Sequence, residues 1–406
     1  GMGISEHFEM LFKLPPVSSA DTDPVDRLYS PSNSSMGLNK GAWGIMRTYS
    51  EPNESLASLS NNPPAPPDNA EVFLPQPGDV IREFIIGVVT TCPAKDKNGK
   101  KITPQLRYVQ LDEPFYEGCV PVDTPPMVLR ASAGEWINIA LYNGIDEATA
   151  DEFGADWRQD NGSNASSDVI KFVNGSVHVG LNPRLLSYDA SRSSGLNVGI
   201  NSLQSAGPGE TVDYLWYAGN ISFDENNNRV LTPVEFGGVN LSPSDPILQA
   251  SYGLVGALIV EPFGALWEAS EDGLSAIVDS ETGAFTEVVI VGSHSAAETL
   301  ALPGSEVRFR VLNPNADGGP GNVSDGTHLI TVEGHNWKEE PYLEASTVIG
   351  LNTASQTMGT QQVTPLESYN LLIESAGGES RQEGDYAFYY YPQGPDAQLG
   401  KLVVQD

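Results

Sequence analysis

The side chains able to hold a metal or attack a bond are few: five histidines and two cysteines in 406 residues. His328, Glu333 and His335 stand close together in the chain, and imidazoles with a carboxylate are a donor set for a divalent metal. Alternate residues of a strand share a face, so a straight strand sets Glu333 and His335 on one side and His328 on the other. These three are the residual metal-ligand candidates. The heavier reading makes them buried or hydrogen-bonded residues without a metal, because buried polar groups find partners. His178 lies between Val177 and Val179, which point to the opposite face, and reads as exposed or turn-bonded. His7 and His294 have no partner in their neighbourhoods. Cys92 and Cys119 form either a disulfide closing a short loop, suited to an oxidising compartment, or two buried free thiols.

Other chemistries find little footing. The chain has no Gly-x-Ser-x-Gly elbow, no His-Glu-x-x-His and no phosphate-binding glycine loop. No catalytic and no cofactor-binding residue is assigned. FDENNNRV (223–230) and NADGGPGNVSDG (315–326) carry oxygen donors for calcium but lack the EF-hand spacing, and such residues are what solvated turns require. With 53 acidic against 21 basic residues the net charge is −32, which repels nucleic acid and anionic membranes alike. No apolar run reaches the ~18 residues of a membrane span, so no membrane insertion is expected. The N-terminus, GMGISEHFEMLFKLPP, lacks the features of a signal peptide, and Gly1 ahead of Met2 reads as a cloning remnant. Any export signal is therefore expected outside this sequence, or the chain is not exported alone.

The elements that must position these residues are strands. MVLRASAGEWINIALYN (127–143), TVDYLWYAG (211–219), SEVRFRVLN (305–313) and SYNLLIES (368–375) alternate apolar and polar residues and read as half-buried strands. DKNGKK (96–101) carries the Asn-Gly of a tight hairpin. Helical periodicity is scarce; IDEATADEFGADW (145–157) has room for a turn or two. The fold class is all-β. NNPPAPPDNAE (61–71) reads as a linker, since consecutive prolines cannot join a ladder. The expected division is a partial segment 1–60, the linker 61–71, a domain 72–262 and a C-terminal domain 263–406. A weak internal repeat supports it: GAWGIMRTY (41–49), GLVGALIVEP (253–262) and LGKLVVQD (399–406) each close a unit with an apolar strand.

Several of these passages resemble the multicopper oxidases, a family of cupredoxin domains. PMVLRASAGEWINIALYNGI (126–145) and GETVDYLWYAGN (209–220) resemble scaffold strands of that family. THLITVEGHNW (327–337) and EGDYAFYYYPQGPDAQLGKLVV (383–404) resemble its copper-binding passages, and DRLYSPSNSSMGLNKGAWGIMRTY (26–49) the close of an earlier domain. The resemblance implies tandem cupredoxin-like Greek-key β-sandwiches of a divergent, bacterial-type member with degenerate copper sites. Under it, Val177 and Val179 stand where histidines bind copper, with His178 between them; Ala218 and Asn220, flanking Gly219, replace another pair. His328 matches the first type 1 histidine, Thr331 and Glu333 replace two more, and His335 matches a histidine that does not bind copper. Tyr389, Tyr390 and Tyr391 replace the His-Cys-His trio, Pro395 replaces a later histidine, and Ser30, Pro31 and Ser32 fill the corresponding N-terminal trio.

Counting agrees: a blue-copper site needs a thiolate and two imidazoles, and neither cysteine has a histidine close behind it. The resemblance thus implies a non-catalytic, structural or partner-binding half of a larger assembly. The alternative is a subunit of an active oxidase of metal ions or phenols, with copper centres in a companion chain. A third reading is a binding module using the acidic loops or the aromatic run Tyr386, Phe388, Tyr389, Tyr390 and Tyr391, although rings filling the space left by copper weigh more. No cofactor is expected for this chain alone, and copper only if a partner chain completes the sites. The segment 3–49 resembles only the last strands of a sandwich, so its missing strands are expected from a companion multicopper-oxidase-like chain or self-association, or the segment wraps the next domain. The family resemblance implies a periplasmic or extracellular setting.

Overall fold

The computed structural model describes residues 14, 24–30, 42–50, 53–56, 72–102, 104–116, 118–145, 176–226, 228–246, 248–314, 327–338, 357–391 and 398–406. Two β-sandwiches follow one another. In the first, one sheet runs in the order Ser187–Tyr188, Thr211–Tyr217, Trp136–Asn143, Ile81–Thr91 and Leu106–Leu111, with Cys119–Val120 also on Ile81–Thr91. The facing sheet runs Asn182–Pro183, Gly237–Ser242, Gly256–Glu261 and Met127–Ser132. Each sheet mixes directions: Ile81–Thr91 lies parallel to Trp136–Asn143, and Gly256–Glu261 parallel to Met127–Ser132. Ile137, Ile139 and Leu141 on one sheet meet Leu129, Leu258 and Val260 on the other, making a dry core.

The passage 127–143 supplies one strand to each sheet and is no hairpin. The corner is Ala133-Gly134-Glu135, where Gly134 has φ +86° and a β-carbon would press on Pro233 and Phe263. A left-handed residue with no side chain satisfies both demands. The 96–101 hairpin is wider than the Asn-Gly signal suggests. Ala94 and Lys95 pair with Ile102 and Lys101 around a loop in which Asp96 Oδ1 accepts from Asn98 N and Lys100 N.

The second sandwich has one sheet in the order Leu266–Ala269, Ser275–Ser280, Gly283–Val291, Glu306–Leu312 and Ser368–Ile373. The other runs Glu298–Ala301, Gln398–Val404, Gly384–Tyr391, His328–Val332 and Gln361–Val363. Phe309, Val311, Ile330, Phe388, Tyr390 and Leu402 lie in its core. Ahead of both sandwiches, Val25–Tyr29 and Gly44–Thr48 form an antiparallel ribbon. It seats on the first sandwich through Asp26, whose carboxylate takes Arg47 at 2.7 and 2.8 Å and the Ile200 amide at 3.0 Å. Asn201 brackets the Asp26 backbone from the other side, accepting from its N–H and donating to its carbonyl.

The two sandwiches meet across a joint that alternation misreads. In SEVRFRVLN the arginines take the polar positions of a strand read as half-buried, yet Arg308 is 4 % and Arg310 0 % exposed. That face of the strand packs on the first sandwich. Arg310 Nε donates to Glu287 Oε1 at 2.5 Å, and Arg130 Nη1 bridges Glu287 and Glu261. Arg308 Nη1 reaches Glu235 across the joint at 2.5 Å. Around these charges Val128, Ala257 and Ile259 of the first sandwich pack on Val289, Val291 and Leu312 of the second. Asn240 donates to the Leu366 and Glu367 carbonyls, and Asn370 donates to the Phe236 carbonyl.

Removing one partner of a buried ion pair strands the other charge away from water, at about 3–5 kcal/mol, whereas a pair exposed on one side contributes about 0–1 kcal/mol. Arg310→Ala is therefore expected to lower unfolding free energy by roughly 3–5 kcal/mol. Arg82→Ala, which breaks the outer Arg82–Glu135 pair, is expected to cost about 1 kcal/mol. Urea denaturation of the two variants against the parent measures the difference.

Candidate metal centre

The three candidate ligands leave their strand in different directions. His328 opens the strand His328–Val332 on the side of Ile330 and Val332, which face the core. Its ring lies flat on Tyr390, with centroids 4.3 Å apart and planes 13° off parallel. Glu333 comes just after the strand and faces outward, where Oε1 accepts from Tyr389 Oη at 3.0 Å and Oε2 from the Ala387 amide at 3.3 Å. The chain then turns at Gly334, φ +68°, and the His335 amide closes the turn on the Val332 carbonyl. That turn breaks the alternation, so Glu333 and His335 do not share a face, contrary to the straight-strand expectation. His335 swings into the core and is 5 % exposed.

His335 is fully used by the backbone. Its Nδ1 donates to the Glu333 carbonyl at 2.7 Å, and Nε2 accepts from the Gly377 amide at 3.0 Å. A carbonyl only accepts and an amide N–H only donates, so the ring is the neutral Nδ1–H tautomer. Tyr386 meets it edge-on at 4.7 Å. Burial lowers the His335 pKa, and the carbonyl contact offsets this only in part. No lone pair remains on this ring for a metal. Among the described residues, no three His, Cys, Asp or Glu side chains converge on one point.

The aromatic run follows the strand Gly384–Tyr391. Phe388 and Tyr390 enter the core at 0 and 1 % exposure, Tyr386 is partly buried against the same core, and Tyr389 lies partly open on the other face with Glu333. Burial holds the Tyr390 phenol far above its ordinary pKa, so it stays neutral. In the first sandwich Val179 and Ala218 are at 0 % exposure within the core and Val177 packs against it, whereas Asn220 is exposed. Side-chain amides fasten this passage: Asn143 donates to the Val177 carbonyl, and Gln249 to the carbonyls of Ser176 and His178. His178 is half-buried there, its amide bonded to Ser176 Oγ.

Cys92 and Cys119 are joined by a disulfide bridging two neighbouring strand ends of the first sandwich. Neither sulfur is a free thiolate. A copper ion, which the family resemblance implies, does not fit the side chains here: a blue-copper site needs a thiolate with two imidazoles. His328 lies against Tyr390 and His335 has both nitrogens engaged. In the loop 223–230, Asp224 Oδ1 accepts from the Asn226 and Asn228 amides, an ordinary turn. Tyr391's side chain, Pro31, Ser32, Pro395, the loop 315–326 and residues 146–157 lie outside the description. None of the described helices is long and apolar enough to cross a membrane.

Sequence reasoning missed Arg130, Glu235, Glu261, Glu287, Arg308 and Arg310. The available signal was a charge inside otherwise apolar strands, as in MVLRAS, GALIVE and GAFTEVVIV.

The His335 geometry gives a pH expectation. Because its folded pKa lies below the ordinary 6.5, its contribution is present above that value and is lost as pH falls through the folded pKa. His335→Phe is expected to cost about 1–3 kcal/mol near neutrality, from the unsatisfied Gly377 amide. The gap to the parent should narrow in acid. Denaturation curves across that range measure it.

No family model matches the chain, and no curated protein matches it. Solved structures resemble it at low identity. A multicopper oxidase is 14 % identical at a TM-score of 0.45, over 81 % of this chain and 90 % of that one. A blue copper oxidase from Nitrosomonas europaea is 10 % identical at 0.43, over 80 and 86 %. A copper nitrite reductase from the same organism is 12 % identical at 0.42, over 80 and 94 %. No residue role passes from them to this chain. By its own strand pairing this is an all-β protein of tandem β-sandwiches, in keeping with the cupredoxin-like fold expected from the sequence.

Proposed function

We propose that this chain is a non-catalytic scaffold of multicopper-oxidase type, serving as the structural or partner-binding half of a larger assembly. The observation that carries the reading is the state of His328 and His335: one ring is stacked on a buried tyrosine, and the other gives both nitrogens to the backbone. Val179, Ala218 and Tyr390, at three of the remaining positions, fill core volume and offer a metal no strong donor.

Partner binding draws support from the N-terminal ribbon and its approach. Tyr29, Trp43 and Ile45 there are 55, 50 and 41 % exposed, a concentration of large apolar groups that marks an interaction surface. The partner in this reading is a companion multicopper-oxidase-like chain or a second copy. Were the companion to carry the copper, the pair would oxidise metal ions or phenols while this chain supplied framework. The disulfide supports an oxidising setting, periplasmic or extracellular.

The test is to load the purified chain with copper, desalt it, and record metal content and visible absorption on one sample. The reading predicts copper well below one equivalent and no blue band. One tightly held copper per chain with an intense blue absorption would overturn it.

A further inference from the structure

Glu261 and Glu287 face each other across the joint, one from each sandwich, both fully buried. They share one nitrogen: Arg130 Nη1 donates to Glu261 Oε1 at 2.5 Å and also to Glu287 Oε2. Beyond that their surroundings differ. Glu287 has its second oxygen on Arg310 Nε at 2.5 Å. Glu261 Oε2 accepts no hydrogen bond, and the nearest guanidinium nitrogen, Arg310 Nη2, stands 3.8 Å away.

The other groups at the joint do not make up the difference. Glu235, ahead of the Gly237–Ser242 strand, pairs with Arg308 Nη1 at 2.5 Å and lies 3.5 Å from Arg310 Nη2. Arg308 also holds Glu306 at 2.6 Å. Asn370 accepts from Arg310 Nη1, and the Gly273 carbonyl accepts from Arg130 Nη2. Arg310 is thus drawn to Glu287 and Glu235, leaving Glu261 with a single donor.

When two carboxyls share a buried site, the one with fewer donors keeps the proton. We propose that Glu261 carries the proton of this pair, and that the joint between the sandwiches is a pH-sensitive latch held firmest while Glu261 is neutral. Burial and then the Glu287 charge push the Glu261 pKa up to about 8. For Glu287 burial also pushes upward, but Arg130 and Arg310 outweigh it and hold the carboxyl below its ordinary value. The signs follow. Glu261's contribution is full below its ordinary 4.5 and is lost as pH rises to about 8. Glu287's contribution is present above 4.5 and is lost in acid.

The test uses the full chain with Glu261→Gln and Glu287→Gln, comparing thermal unfolding and amide exchange at about pH 5 and about pH 8. Exchange is read at Ala257, Ile259, Val289 and Val291, which line the joint. The parent should lose melting temperature and protection at these amides as pH rises. Glu261→Gln should flatten that loss and match or exceed the parent at the higher pH, whereas Glu287→Gln should be weakened at both. Equal loss in Glu261→Gln at both pH values would overturn the proposal, as would flattening by Glu287→Gln instead. Should Glu261→Gln fail to fold, isotope-edited infrared spectra of the parent decide. A protonated buried glutamic acid carbonyl band near neutrality that vanishes in base supports the latch, and its absence overturns it.

Discussion

Arg310 sits without water between carboxylates supplied by both sandwiches, and much of the molecule's geometry depends on its staying there. Taking a guanidinium and its carboxylates out of water costs several kcal/mol per ion, which mutual attraction recovers only when hydrogen bonding is nearly complete. The joint meets that condition in part: Arg130 spans Glu261 and Glu287, Arg310 holds Glu287 and Arg308 holds Glu235, while Glu261 Oε2, Arg130 Nε and Arg310 Nη2 are left without a hydrogen bond. Charges of this kind penalise any other register of one sheet on the other, because a shift would leave ions unpaired. The apolar contacts of Ile259, Val289 and Leu312 give area, and the ions give uniqueness.

That constraint bears on the His328 end of the second sandwich. The strand Glu306–Leu312 presents Arg308 and Arg310 to the joint while Phe309 enters the core and meets Phe388 edge-on at 5.3 Å. Phe388 and Tyr390 belong to the strand that pairs with His328–Val332. A packing chain therefore runs from the joint to the ring against His328. Tyr390 at this point is a structural wedge, and opening a metal cavity would require the core to be rebuilt.

Much of the architecture was legible because strand alternation is a strong signal when one face is dry. Trp136–Asn143, Thr211–Tyr217 and Ser368–Ile373 lie within the stretches that the alternation marked. The illegible parts have physical causes. Alternation says which residues share a face and not what lies opposite, so it could not show that the first sandwich covers Arg308 and Arg310. The side of His335 depended on a turn at Gly334, which a straight-strand count cannot register. The pairing of Cys92 with Cys119 followed from two strand ends lying side by side, a long-range fact absent from local sequence.

The functional account rests on the claim that packing and backbone bonds have taken over the positions where copper would be held. Anomalous diffraction at the copper edge, from crystals soaked in copper, tests it most directly. The account predicts no ordered copper within bonding distance of His328 or His335, with Tyr390 still stacked on His328. An ordered copper bonded to either imidazole, with Tyr390 displaced, would contradict it.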